Sequence, residues 1–213
     1  MNDMQAELDL MKRAGLPEDL RFLVAKYPRE NWAAHHNIVG MAGMWLQRHG
    51  MFRELGGMLT GGIADYREGR TNANEFAQWF APRLNFFLGN LDGHHNVEDQ
   101  HYFPAFARAE TRLKRGFDIL DADHHMIHEA LEMNAETANG FLRALKENED
   151  KRRFAADAYA DANQRLVAML TRHLDDEERA PRGRSRRDDD EIDPDMGDPA
   201  YDTPVLSDRE IDK

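Results

Sequence analysis

The stretch FAPRLNFFLGNLDGHHNVEDQHYFPA, residues 80–105, decides how the chain is read. Phe80, Leu84, Phe87, Leu91, His94, Glu98, His101 and Ala105 recur at alternating steps of four and three, the spacing that keeps one face of a helix. The first four are apolar, and the next three are imidazole, carboxylate and imidazole. Such groups are costly to bury unless they are paired or bind something. The helix therefore predicts an apolar core at one end and a polar site at the other. Pro104 is expected to bend or end it.

Three other stretches carry the same pattern. One runs from about residue 31 to 67 through Trp45, His49, Phe52, Leu59 and Ile63, with Gly61 and Gly62 as candidate breaks. Another passes Phe117, Leu120, His124, Ile127, His128, Leu131, Ala138, Leu142 and Leu145. The last passes Ala155, Tyr159, Ala162, Leu166, Met169, His173 and Glu177. No alternating, β-branched segment interrupts them. Four long amphipathic helices joined by short polar turns predict an all-α, up-down-up-down four-helix bundle over residues 31–180. Residues 1–30, punctuated by Pro17 and Pro28, form a lead-in with room for short helices. Residues 181–213 alternate basic and acidic blocks with Pro and Gly and few apolar residues, so disorder is expected there.

Composition narrows the chemistry. The chain has 213 residues, no cysteine and a net charge of −12. Without thiols there are no disulfides, thiolate zinc sites or cysteine-held iron–sulfur clusters, and any metal must take nitrogen and oxygen ligands. Seven basic and eleven acidic residues from Arg179 onward leave a charge of −8 on the rest of the chain. An acidic body argues against nucleic acid or an anionic membrane as the main partner. Residues 1–10 lack an apolar signal core, and no apolar run approaches the roughly 20 residues that span a bilayer. A soluble, cytoplasmic protein is the expectation.

The polar positions pair within helices. His94 with Glu98, His124 with His128, and His173 with Glu177 each lie at i and i+4, one turn apart on a face, and His49 adds a single imidazole. Counting from the turns near Arg70 and Glu149, at 1.5 Å per residue, brings His49 level with His94 and His128 level with His173. His36 would miss His94 by about 15 Å, which favours His49 as the first-helix ligand. Imidazole plus carboxylate suits iron, zinc, manganese or copper. Seven ligands are too many for one ion. Two octahedral ions fit better, one held by His124, His128 and His173 and the other by His49 and His94. Glu98 and Glu177 would bridge them, and one position would stay open for a small ligand. His95 and His125 each follow a ligand, about 100° round the helix, and are expected on the helix flank. Glu177 turns about 40° from His173 and Glu178 about 140°, so Glu177 is the preferred carboxylate. His101 is read as a partner of the site, an extra ligand or a residue of the bundle end.

His94-His95-Asn96-Val97-Glu98-Asp99, followed by Tyr102-Phe103-Pro104, resembles the HHxxE(E/D)xxxFP signature of hemerythrin-like (HHE) domains. Asp123-His124 with His128, and His173 to Glu178, resemble the third- and fourth-helix motifs of that family, and His49 to Arg53 its first-helix HxxxR pattern. The resemblance covers about residues 31–178. The family's fourth-helix motif normally continues into an apolar turn ending in Pro, where this chain has Arg179-Ala180-Pro181-Arg182. The resemblance implies a bundle holding two non-haem iron ions (Fe2+/Fe3+) with an oxo or hydroxo bridge. It also implies binding of O2 in the oxygen-carrying members. For bacterial members it implies oxygen or redox sensing, or an enzyme handling peroxide or nitric oxide. Iron binding in homeostasis is a further alternative.

Overall fold

The computed structural model describes residues 9–21 and 41–179. The expected helix start near residue 31, most of the lead-in, His35 and His36, and the expected disorder of 181–213 lie outside the described residues. Among those described, the fold is helical. The long helices are α1 (Met41–Arg67), α2 (Ala73–Val97), α4 (Lys114–Ala144) and α5 (Glu149–Arg179), with a short α3 (Phe103–Ala109) between α2 and α4. No described helix is long and apolar enough to cross a membrane.

The described residues divide into two compact units, and each unit draws on all four long helices. One consists of 51–92 and 126–168. Here the helices alternate in direction across two short turns, which the sequence punctuates. At the end of α1, Gly69 takes a φ of +72°, its N–H reaches Tyr66 O at 3.0 Å and the Arg70 N–H reaches Asp65 O at 2.9 Å. That is a Schellman stop, and only glycine adopts its left-handed residue without penalty. Gly61 and Gly62 do not interrupt α1. The Asn72 side chain caps α2 through the Glu75 N–H at 3.0 Å, and Asn148 caps α5 through the Lys151 N–H at 3.0 Å.

The interior of this unit is aromatic. Phe76 stacks on Phe80 at 4.8 Å, Phe80 meets Tyr159 edge-on at 4.9 Å, and Tyr66 meets Phe141 at 5.1 Å. Phe80, Leu84, Phe87 and Leu91 are all fully buried, as their spacing predicts. The buried Tyr159 hydroxyl donates to Asn163 Oδ1 at 3.3 Å. Asn163 Nδ2 in turn donates to Thr60 Oγ1, which donates to Gly56 O, so these three side chains form one thread.

The other unit consists of 9–21, 41–50, 93–125 and 169–179. It holds an apolar cluster in which Leu16 and Leu20 of the lead-in join Phe103, Leu113, Phe117, Ile119 and Leu120. It also holds the departure from the expected heptad. Residues Glu98–Tyr102 form a π-helical turn between α2 and α3. A π turn admits one extra residue, so everything after it shifts round the axis relative to a regular helix. His101 and Ala105, expected to continue the seam, are exposed, whereas Phe103 is buried. The seam ends at Glu98.

Phe80→Ala should destabilise the protein by about 3–5 kcal/mol, the range for emptying a well-packed aromatic site. Phe86→Ala, on the same helix at an exposed position, should stay within about 0.5 kcal/mol of wild type. Urea unfolding of the two variants checks the placement of the core face.

Candidate metal centre

Four helices and the π turn bring imidazoles and carboxylates into one interior. α1 supplies Trp45 and His49, α2 supplies His94 and His95, the π turn supplies Glu98, α4 supplies His124, and α5 supplies His173 and Glu177. None is more than 6 % exposed. Their donor atoms gather into two groups that share Glu98. One is His95, Glu98, His124 and His173; the other is His49, His94, Glu98 and Glu177. Within each group the donor atoms lie within 4.8 Å of one another.

The two carboxylates each span a pair of histidines. Glu98 places Oε1 3.5 Å from His94 Nε2 and Oε2 3.5 Å from His124 Nε2. Glu177 Oε2 lies 3.2 Å from His49 Nε2 and 3.9 Å from His173 Nε2. The Trp45 indole N–H donates to Oε1 of both, at 2.5 Å to Glu98 and 3.0 Å to Glu177. One side chain thereby fixes the rotation of both carboxylates.

The outer nitrogens of three histidines face carboxylates of their own. His124 Nδ1 is 2.7 Å from Asp99, His173 Nδ1 is 3.3 Å from Asp123, and His49 Nδ1 is 3.2 Å from Glu178. An imidazole that gives its Nδ1 proton to a carboxylate presents Nε2 as a lone pair. His124 Nε2 and His173 Nε2 are then two lone pairs 3.0 Å apart, with a Glu98 oxygen beside them. Electron pairs aimed at one point in a buried site repel unless a cation lies among them. His95 Nε2, also buried, has no hydrogen-bond partner among the described residues. Burial holds His94 and His95 well below the usual histidine range and lowers His124 as well, so all three are neutral and ready to donate to a metal. The donor set is nitrogen and oxygen throughout, and it fits a metal ion with intermediate ligand preference.

Six of the seven residues expected at the site are brought together: His49, His94, Glu98, His124, His173 and Glu177. His128 is not. Its side chain is 58 % exposed and pairs with Asp92 at 3.2 Å and Glu132 at 3.3 Å. His124, not His128, meets His173, and one further helical turn carries His128 away and about 40° round the axis. His95, placed on the helix flank by its offset from His94, stands in the group of His124 and His173 instead. The offset is real, but α2 is buried on both flanks. His94 lies beside His49, with ring centroids 5.2 Å apart, and His95 stacks on His124 at 4.0 Å. His125 is exposed. Glu178 is buried, yet it serves the outer nitrogen of His49 while Glu177 reaches the cluster.

The outer carboxylates Asp99, Asp123 and Asp176 fall within the motifs quoted from the sequence but are given no role there, and Arg13 is not singled out. Asp99 and Asp123 each neighbour a ligand position in the chain, and that adjacency was the available signal. Nothing in the sequence pointed to Arg13.

The family model for the hemerythrin HHE cation binding domain matches residues 41–180, well over half of the chain. The chain belongs to this family, and the buried cluster is where it would bind metal. No curated protein and no solved structure matches the chain.

His95 and His128 make opposite predictions. His95→Ala should weaken metal binding by more than the roughly 10–100-fold seen when only an outer partner is lost. His128→Ala should bind as wild type does. Metal per chain after loading and desalting, measured by atomic emission, distinguishes them; equal retention would return His95 to a packing role.

Proposed function

We propose that this member of the hemerythrin HHE family holds two non-haem iron ions and binds O2, or a related small ligand, at that centre. The observation that carries the reading is the convergence of the His124 and His173 Nε2 atoms on a point flanked by Glu98, a carboxylate shared with the second group. His95, His124 and His173 would hold one ion, and His49 and His94 the other. Glu98 and Glu177 would bridge them. That is five nitrogens and two bridging carboxylates, so the ion with two histidines has fewer protein ligands and room for an external one. Ferrous iron, when bound, supplies the electrons that a bound O2 molecule draws on.

The chain's own residues favour holding a ligand over turning it over. Trp45 walls the two-histidine side, its ring 4.5 Å from His94 and 4.7 Å from Tyr102. Its indole N–H steadies both carboxylates by hydrogen bonding but does not release a proton at neutral pH. Asp99, Asp123 and Glu178 keep the imidazole protons on the outer nitrogens, away from the cluster. His101, read from the sequence as a partner of the site, an extra ligand or a residue of the bundle end, is exposed. Burial raises the Tyr102 phenol above its usual range and keeps it protonated. Rapid turnover of peroxide generally needs an acid or base of matched pKa beside the reacting ligand. The alternative, an enzyme acting on peroxide or nitric oxide, would have to find that group in Tyr102.

Protein loaded with Fe(II) without air and then exposed to O2 should develop a visible charge-transfer band that disappears when O2 is removed. An irreversible ferric spectrum would put peroxide chemistry or redox sensing ahead. Absence of any iron-dependent band would end the di-iron reading.

A further inference from the structure

The lead-in carries a buried arginine that reaches the metal centre from the far end of the sequence. The Arg13 side chain is 1 % exposed, and it lies against the side chains of Asp123 and Asp176, which are just as deeply buried. Its guanidinium grips Asp123 with both terminal nitrogens, Nη1 to Oδ1 at 2.7 Å and Nη2 to Oδ2, and donates from Nε to Asp176 Oδ2 at 2.9 Å. The Asp123 Oδ2 that Arg13 holds is the atom that faces His173 Nδ1. The path from the lead-in to the cluster is therefore Arg13, Asp123, His173, with a polar contact at each step.

The backbone around Arg13 is shaped for this contact. The Asp9 side chain accepts the Met11 N–H at 2.9 Å, and Asp9 O accepts the Arg13 N–H at 2.9 Å, closing a turn that presents the arginine. Gly15, at a φ of +140°, then redirects the chain so that the Leu16 N–H meets Asp176 Oδ1 at 3.2 Å. Leu10, Leu16 and Leu20 are buried, the last two in the Phe103–Phe117 cluster. Burial by itself would raise the Asp123 carboxyl, but the hydrogen bonds from Arg13 and His173 outweigh it and keep Asp123 ionised. A planar fork gripping a carboxylate in two-point fashion fixes its orientation as well as its charge, which the point charge of a lysine does not.

We propose that Arg13 is a positioning residue of the metal centre: by locking Asp123 it holds His173 in its ligating pose, so the site retains metal tightly only while residues 9–21 are docked. This inference rests on the metal-binding reading of the cluster. Loss of an outer partner of a ligating histidine typically weakens metal binding roughly 10–100-fold. Arg13 acts one step further out, so an effect of about tenfold is expected.

The test uses the full chain loaded with Fe(II) without air and measures the rate at which iron passes to 2,2′-bipyridine. Far-UV circular dichroism and the thermal midpoint serve as checks of fold. Arg13→Lys keeps the charge and removes the fork, and Asp176→Asn loosens the arginine at nearly constant volume. Both should fold and release iron about tenfold faster than wild type. Lys12→Gln, an exposed residue whose ammonium pairs with Asp9 at 2.8 Å, should release it at the wild-type rate. Wild-type release rates in folded Arg13→Lys and Asp176→Asn would overturn the inference and leave the metal site standing. Failure of the wild-type protein to take up Fe(II) would overturn both.

Discussion

The structure turns on imidazole nitrogens that converge in a buried interior. The Nε2 atoms of His124 and His173 meet at 3.0 Å beside an oxygen of Glu98, in an interior where these side chains are almost wholly buried. In water such groups would turn apart or take up protons. Here Asp99 and Asp123 hold the two rings by their outer nitrogens, and desolvation opposes protonation of His124. The fold thus keeps nucleophilic atoms close together at a cost in stability that a bound cation would offset. Trp45, Glu178 and Arg13 each contact a group that faces the cluster or supports one that does.

The π turn at Glu98–Tyr102 is the backbone counterpart of that arrangement. The donor set needs Glu98 to stand between two groups of histidines, and it needs an apolar floor immediately beyond. On a regular helix the position one turn past Glu98 would be His101, a second imidazole in the seam. The extra residue of the π turn moves His101 to the surface and brings Phe103 inward, against His124 at 5.4 Å. A local irregularity in hydrogen bonding thereby separates the polar site from the apolar cluster of Leu16, Leu20 and Phe117.

The apolar unit shows how little of this is needed for the fold itself. Its helices are stopped and started by Gly69, Asn72 and Asn148, and its interior is filled by stacked and edge-on aromatic rings. Three of its polar side chains, Tyr159, Asn163 and Thr60, are linked in a thread that ends on Gly56 O. The metal-site unit instead concentrates histidine and carboxylate in its interior, and the N-terminal lead-in contributes both a charge and three leucines to it.

The helices, their core faces and most of the site were legible in the sequence because they depend on local periodicity. Side chains three and four apart share a face, and that alone assembled Phe80 to Glu98, and His173 with Glu177. The exchange of His128 for His95 was not legible. Which flank of a helix is buried depends on where its neighbours lie, and a single helix carries no record of that. The end of the seam at Glu98 depends on one inserted residue in a helical turn, worth too little energy to leave a pattern in composition. The contact from Arg13 to Asp123 spans 110 positions, and a lone arginine in a polar lead-in looks like any other. The sequence by itself determined the helical bundle, the residue types of its polar interior and the likeness to the HHE family, all through short-range spacing. Only the tertiary structure decided which nitrogens converge and what holds them there, because those choices are made by packing between elements distant in the chain.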